Sequence, residues 1–69
     1  MQILSGELYK VLKKLCGFND TGIIPINQNE IVMCVDDYIN KNVYMKFLYK
    51  NYLIWIYVNS YTLKIINKC

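Results

Sequence analysis

Five carboxylates (Glu7, Asp20, Glu30, Asp36 and Asp37) and three thiols (Cys16, Cys34 and Cys69) are the first places to look for chemistry in this sequence. General acid and base work would fall to the carboxylates alone, because the chain has no histidine. Asp36 and Asp37 are adjacent, so in an extended strand they point to opposite faces and make a poor catalytic pair. The cysteines are odd in number and widely spaced, with no C-x-x-C pair and no histidine to complete a zinc site. They read as free thiols. No nucleophile elbow or phosphate loop is present. The residues therefore predict no catalytic site, no metal site and no cofactor, and the expectation is that the protein is not an enzyme.

A second group of residues points to binding instead. Of the 69 residues, 55% are hydrophobic and 14% aromatic, more apolar side chain than one small core needs. The net charge is +3, every cation is a lysine, and His, Arg and Ala are absent. Residues with AT-rich codons (Ile, Lys, Asn, Tyr, Phe, Met) dominate. That skew points to an AT-rich genome, with a phage or other mobile element of a low-GC bacterium as the leading source.

The opening "MQILSGELYK" has neither the basic start nor the long apolar stretch of a secretory signal. The longest uncharged apolar run, Tyr52 to Val58, is far shorter than the roughly 20 residues of a membrane helix. A cytoplasmic protein without a membrane partner is expected.

The elements that must position these residues are read from periodicity, and the whole chain, 1–69, is expected to form a single small domain. Leu8, Val11, Leu12 and Leu15 recur at helical spacing, Ser5 is a candidate N-cap and Gly17 a candidate stop, which predicts a helix over about 5–17. Residues 18–30, rich in Asn, Asp, Gly and Pro, predict an irregular loop in which Ile23, Ile24 and Ile26 tack onto the core or add a short edge strand. Period-two patterns then predict strands at about 30–37, 43–49, 52–58 and 61–67, with a helix starting at Asp37 as the weaker alternative for the second. The fold class is α+β: an N-terminal helix packed on one face of a four-stranded, mainly antiparallel β-meander.

Register divides the strands into two faces. A two-residue loop at Lys50–Asn51 sets Tyr49 opposite Tyr52, Phe47 opposite Ile54 and Met45 opposite Ile56. A loop at Asn59–Ser60 adds Tyr61, Leu63 and Ile65 to that face, and a loop at 38–42 adds Val35, Met33 and Ile31. This uncharged face should receive the helix. The opposite face carries the rows Cys34, Lys46, Trp55, Lys64; Asp36, Tyr44, Tyr57, Thr62; and Val32, Leu48, Leu53, Ile66. One short helix cannot cover both faces.

Trp55, Lys46, Lys64, Tyr44, Tyr57, Leu48 and Leu53 are therefore the predicted partner-binding residues, since aromatic side chains give large contact area at low entropic cost. A bland alternative folds the 18–30 loop over Trp55, with Lys46 and Lys64 stacked on its ring. The functional expectation is a small protein-binding inhibitor, encoded by a phage or mobile element. Its target would be a host protein such as a defence nuclease or its ribonucleoprotein complex (an anti-CRISPR or similar anti-defence role), held by occluding a surface or altering assembly. A homodimeric structural or regulatory module is the first alternative. A weak nucleic-acid binder using the lysine and aromatic face ranks behind it, because arginine is absent and no recognition motif is legible.

Overall fold

The computed structural model of the chain describes residues 3–36 and 44–69. Seven strands and a short helix follow one another: β1 (Leu8–Val11), β2 (Leu15–Asn19), β3 (Gly22–Ile26), β4 (Ile31–Asp36), β5 (Tyr44–Tyr49), β6 (Tyr52–Tyr57), α1 (Ser60–Ile65) and β7 (Ile66–Lys68). The strands form one sheet in the order β3-β2-β6-β5-β4-β1-β7, and every pairing is antiparallel. A flat layer would be thin in one direction. The smallest Cα extent is 21 Å, so the sheet curls around a core on its concave side. Tyr9, Val11, Ile26, Val32, Cys34, Phe47, Ile54, Ile56 and Ile66 are its most deeply buried side chains.

This architecture overturns the expected helix-on-meander fold. Residues 5–17 hold β1 and the start of β2, where a helix was predicted. Leu8, which a core-facing helix would bury, is 47% exposed, whereas Tyr9 and Val11 are buried in period two. A helix of this length is marginal alone, and Gly6 and Gly17 weaken it further. β1 instead pairs with β4 on one side and β7 on the other. The buried Tyr9 hydroxyl accepts a hydrogen bond from the Leu4 N–H at 2.8 Å. Gly17 is not a helix stop. It lies where β2 crosses Ile54, and a Cβ there would come within 2.7 Å of Ile54 Cδ1.

The segment 18–30 is likewise more ordered than an irregular loop. Asn19, Asp20, Thr21 and Gly22 form a tight turn in which Asn19 Oδ1 accepts from the Thr21 N–H and hydroxyl. Beyond it β3 pairs with β2, realising the edge-strand option for residues 23–26. Pro25 is tolerated because β3 is an edge strand that pairs only with β2.

The β5–β6 hairpin has the register that alternation requires, with Tyr49 opposite Tyr52, Phe47 opposite Ile54 and Met45 opposite Ile56. On β4 the register differs from the expected one by a single residue. Cys34 pairs with Phe47 and both are buried, so Val32 and Cys34 face the core while Ile31 and Met33 face out. A carboxylate inside the core would cost more than the shift gains, so Asp36 must stay out of it. A bulge between Cys34 and Asp36 does this, bringing Asp36 opposite Lys46 on the outer face. The predicted connection at 38–42, together with Asp37 and Val43, lies outside the described residues.

The predicted strand at 61–67 is replaced by α1 and β7. Asn59 caps the helix, its Oδ1 accepting from the Thr62 N–H at 2.9 Å, and the buried Thr62 hydroxyl donates to the Tyr57 carbonyl at 2.8 Å. Ile65 and Ile66 are adjacent and both buried. A one-sided strand cannot turn two consecutive residues inward, but a helix ending in a strand can. Thr62 and Ile66, expected on the outer face, are therefore inside, and Tyr61, expected inside, is out.

Candidate functional site: an aromatic outer face

The convex face of the sheet carries the side chains that alternate with the core. One row crosses four strands from Leu8 through Met33 and Leu48 to Leu53. A second runs from Asp36 through Lys46, Trp55 and Phe18 to Ile23. A third pairs Tyr44 with Tyr57. Ile23 is 76% exposed, Leu53 54%, Tyr44 44% and Phe18 39%. Trp55 is half-buried among them.

The rings are arranged across β6. Phe18 reaches over that strand to Tyr44, edge to face at 5.3 Å and 90°, and Tyr44 lies 5.3 Å from Tyr57 at 59°. Each such pair is worth about 0.5–1.5 kcal/mol. Phe18, Tyr44 and Trp55 line a shallow, open cavity of about 470 Å³. On its other side Trp55 meets Lys46, whose Nζ lies 5.0 Å from the indole centroid. Trp55 is thus flanked by a phenyl ring and an ammonium group.

Of the predicted partner-binding residues, Trp55, Lys46, Tyr44, Tyr57, Leu48 and Leu53 share this face. Lys64 does not join their row, since it lies exposed on α1. Cys34, expected beside Lys46, is in the core. Phe18 and Ile23 extend the face beyond the prediction. Their signal lay in two short apolar segments, 15–18 and 23–26, on either side of an Asn-Asp-Thr-Gly turn, which is a hairpin pattern obscured by Pro25.

Among the described residues the carboxylates are dispersed. Glu7 pairs with Lys68 at 3.6 Å, and Asp20 is exposed in the β2–β3 turn. Glu30 lies 3.6 Å from Lys50 and accepts from the Asn27 N–H at 3.0 Å. The neighbouring Tyr49 hydroxyl, the Asn27 N–H and the Lys50 charge hold its carboxyl below the ordinary carboxylate value. Hydrogen bonding to Glu30, together with burial, raises the Tyr49 phenol, and Tyr49 and Glu30 together raise the Lys50 ammonium. This cluster fastens the turn before β4 to the β5–β6 hairpin, away from the aromatic face.

Among the described residues, no group of three or more His, Cys, Asp or Glu side chains is placed to hold a metal ion. No helix among them is long and apolar enough to cross a membrane. No protein-family model matches the chain, and no curated protein or solved structure matches it.

Proposed function

We propose that this chain is a non-enzymatic, stoichiometric binding protein that docks on a partner protein through its outer aromatic face. The observation that carries this reading is the exposure of Phe18, Ile23, Tyr44, Leu53 and Tyr57 around Trp55 on a sheet whose other face already supplies a filled core. Monomeric proteins seldom leave a continuous apolar surface of this kind in water. The AT-rich composition supports the finer proposal: an inhibitor encoded by a phage or mobile element, acting in the cytoplasm on a host protein such as a defence nuclease. Occlusion of a target surface is the simplest mode for a face that holds rings and no paired catalytic groups.

The test uses wild type, Trp55→Ala and Lys46→Glu, each confirmed folded by its thermal transition, as bait in a low-GC bacterial lysate. The expected result is a specific protein retained by wild type and lost from both variants. A wild type that retains nothing specific, or variants that retain the same protein, would overturn the proposal. Sedimentation at micromolar concentration separates the first alternative: a dimer that Trp55→Ala converts to monomer reassigns the face to self-association. Retention of nucleic acid that falls steeply with added salt reassigns it to nucleic-acid binding.

A further inference from the structure

The shallow cavity beside Trp55 is apolar, and the Lys46 ammonium lies at the Trp55 ring; together they narrow its occupant. We infer that it takes an apolar side chain carried on an acidic peptide segment of the partner protein. This inference rests on the reading of the outer face as a docking surface.

Shape supplies the first half. Among the described residues the lining is the rings of Phe18, Tyr44 and Trp55, which offer a shallow apolar concavity broadly open to solvent. Tyr44 also contacts Phe18 and Tyr57, so its ring is already positioned from two directions. A phenylalanyl or similar side chain inserted there gains contact with rings that need little reordering.

Charge supplies the second half. A cavity of three aromatic rings ordinarily suits a cation, because the ring faces are electron-rich. Here the Lys46 ammonium already lies 5.0 Å from the Trp55 centroid. A cation stacked on Trp55 would share that ring with the ammonium and be repelled by it, whereas a carboxylate flanking the inserted side chain would be attracted to it. Asp36 is the acid on this row, and it stands opposite Lys46 on β4, on the side away from Trp55. By register Lys46 is therefore one strand nearer to Trp55 than Asp36 is. The net charge of +3 acts in the same direction at longer range.

Single-stranded nucleic acid fits less well. It needs cations spaced along a backbone beside exposed parallel ring faces. Among the described residues, Lys46 is the one cation on the three rows around the cavity, and Phe18 stands edge-on to Tyr44.

The only tryptophan of the chain lines the cavity, so its fluorescence reports occupancy directly. The probes are acetyl-Glu-Glu-Phe-Glu-Glu-amide, its Lys-Lys-Phe-Lys-Lys and Glu-Glu-Ala-Glu-Glu counterparts, tetramethylammonium chloride and an oligothymidine. The first peptide is expected to bind saturably, and both counterparts about tenfold or more weaker, a gap of about 1.4 kcal/mol. Lys46→Glu, with an unchanged thermal transition, is expected to reverse the preference between the glutamate and lysine peptides. Equal or tighter binding of the lysine peptide or tetramethylammonium overturns the charge assignment while leaving the docking face in place. Tighter, salt-sensitive binding of the oligothymidine overturns the peptide assignment. A Trp55 signal silent to every probe overturns the cavity as a binding site. Lysate capture that also fails to depend on Trp55 removes the docking face itself.

Discussion

Phe47 and Trp55 lie on adjacent strands of one sheet and face opposite sides of it. Phe47 points into the concave face, pairs with Ile54 and Cys34, and is fully buried. Trp55 points out from the convex face, between Lys46 and Phe18. Among the described residues the inner face is filled by aliphatic and sulfur-containing side chains, two tyrosines and Phe47, and no buried side-chain nitrogen or oxygen lacks a hydrogen-bond partner. The outer face holds a comparable set of apolar side chains but leaves many of them in water. The same hydrophobic chemistry thus folds the chain on one side and stays in contact with water on the other, which is the ground for the proposed docking face.

Substitutions on the two faces should separate these roles sharply. The largest effect is expected from Phe47→Ala, at about 3–5 kcal/mol. In a domain of this size that is a large share of the total stability, so denaturant unfolding should show a protein largely unfolded or close to it. A loss below about 1 kcal/mol would break the assignment of the inner face as the core. Gly17→Val should follow, at about 1–3 kcal/mol, since its Cβ would be forced against the Ile54 side chain. Overpacking of this kind leaves the outer face chemically unchanged, so any loss of binding should track the loss of folded protein.

Asn59→Ala sharpens the comparison at the end of the chain. Removing the cap of α1, whose Oδ1 also lies 3.1 Å from the Thr62 hydroxyl, should cost about 1 kcal/mol and lower the thermal midpoint by several degrees. On the outer face, Leu53→Ser and Ile23→Ser should stay within about 0.5 kcal/mol of wild type in urea unfolding. Their effect should appear in binding. A substantial loss of stability from either would place that side chain in the core.

The smallest effect is one of pH. Glu30 has its folded-state pKa lowered by Tyr49, the Asn27 N–H and Lys50, so its contribution is present above the unfolded carboxylate value. It is lost as pH falls through the lowered folded value. Glu30→Gln should therefore flatten part of the acid limb of stability measured from neutral pH downward. An unchanged limb would show that the cluster adds nothing to folding.

Legibility followed the local rules. The β5–β6 hairpin could be read in register because alternation and a two-residue turn act within a dozen residues. That alone placed Tyr44, Lys46, Leu48, Leu53, Trp55 and Tyr57 on one face. The N-terminal segment misled because Leu8, Val11, Leu12 and Leu15 satisfy helical spacing, while Tyr9 and Val11 equally satisfy a strand. The choice between them rests on β4 and β7, which lie more than 20 residues and more than 50 residues away along the chain. Strand alternation alone points Cys34 outward, because nothing local announces the bulge after it. Alternation likewise points Lys64 toward Trp55, because the β-branched residues around it conceal the cap at Asn59.

What the sequence determined by itself was an excess of apolar and aromatic side chains, a modest positive charge carried wholly by lysine, and the register of one hairpin. Composition and two-residue periodicity are properties of the chain alone. Tertiary structure decided the rest: that residues 8–11 extend between two distant strands, that β3 adds an edge, and that α1 and β7 close the chain over the core. It also brought Phe18 over β6 to complete the aromatic cavity at Trp55. Each of these outcomes depends on burial shared between segments far apart in sequence, and no single segment encodes it.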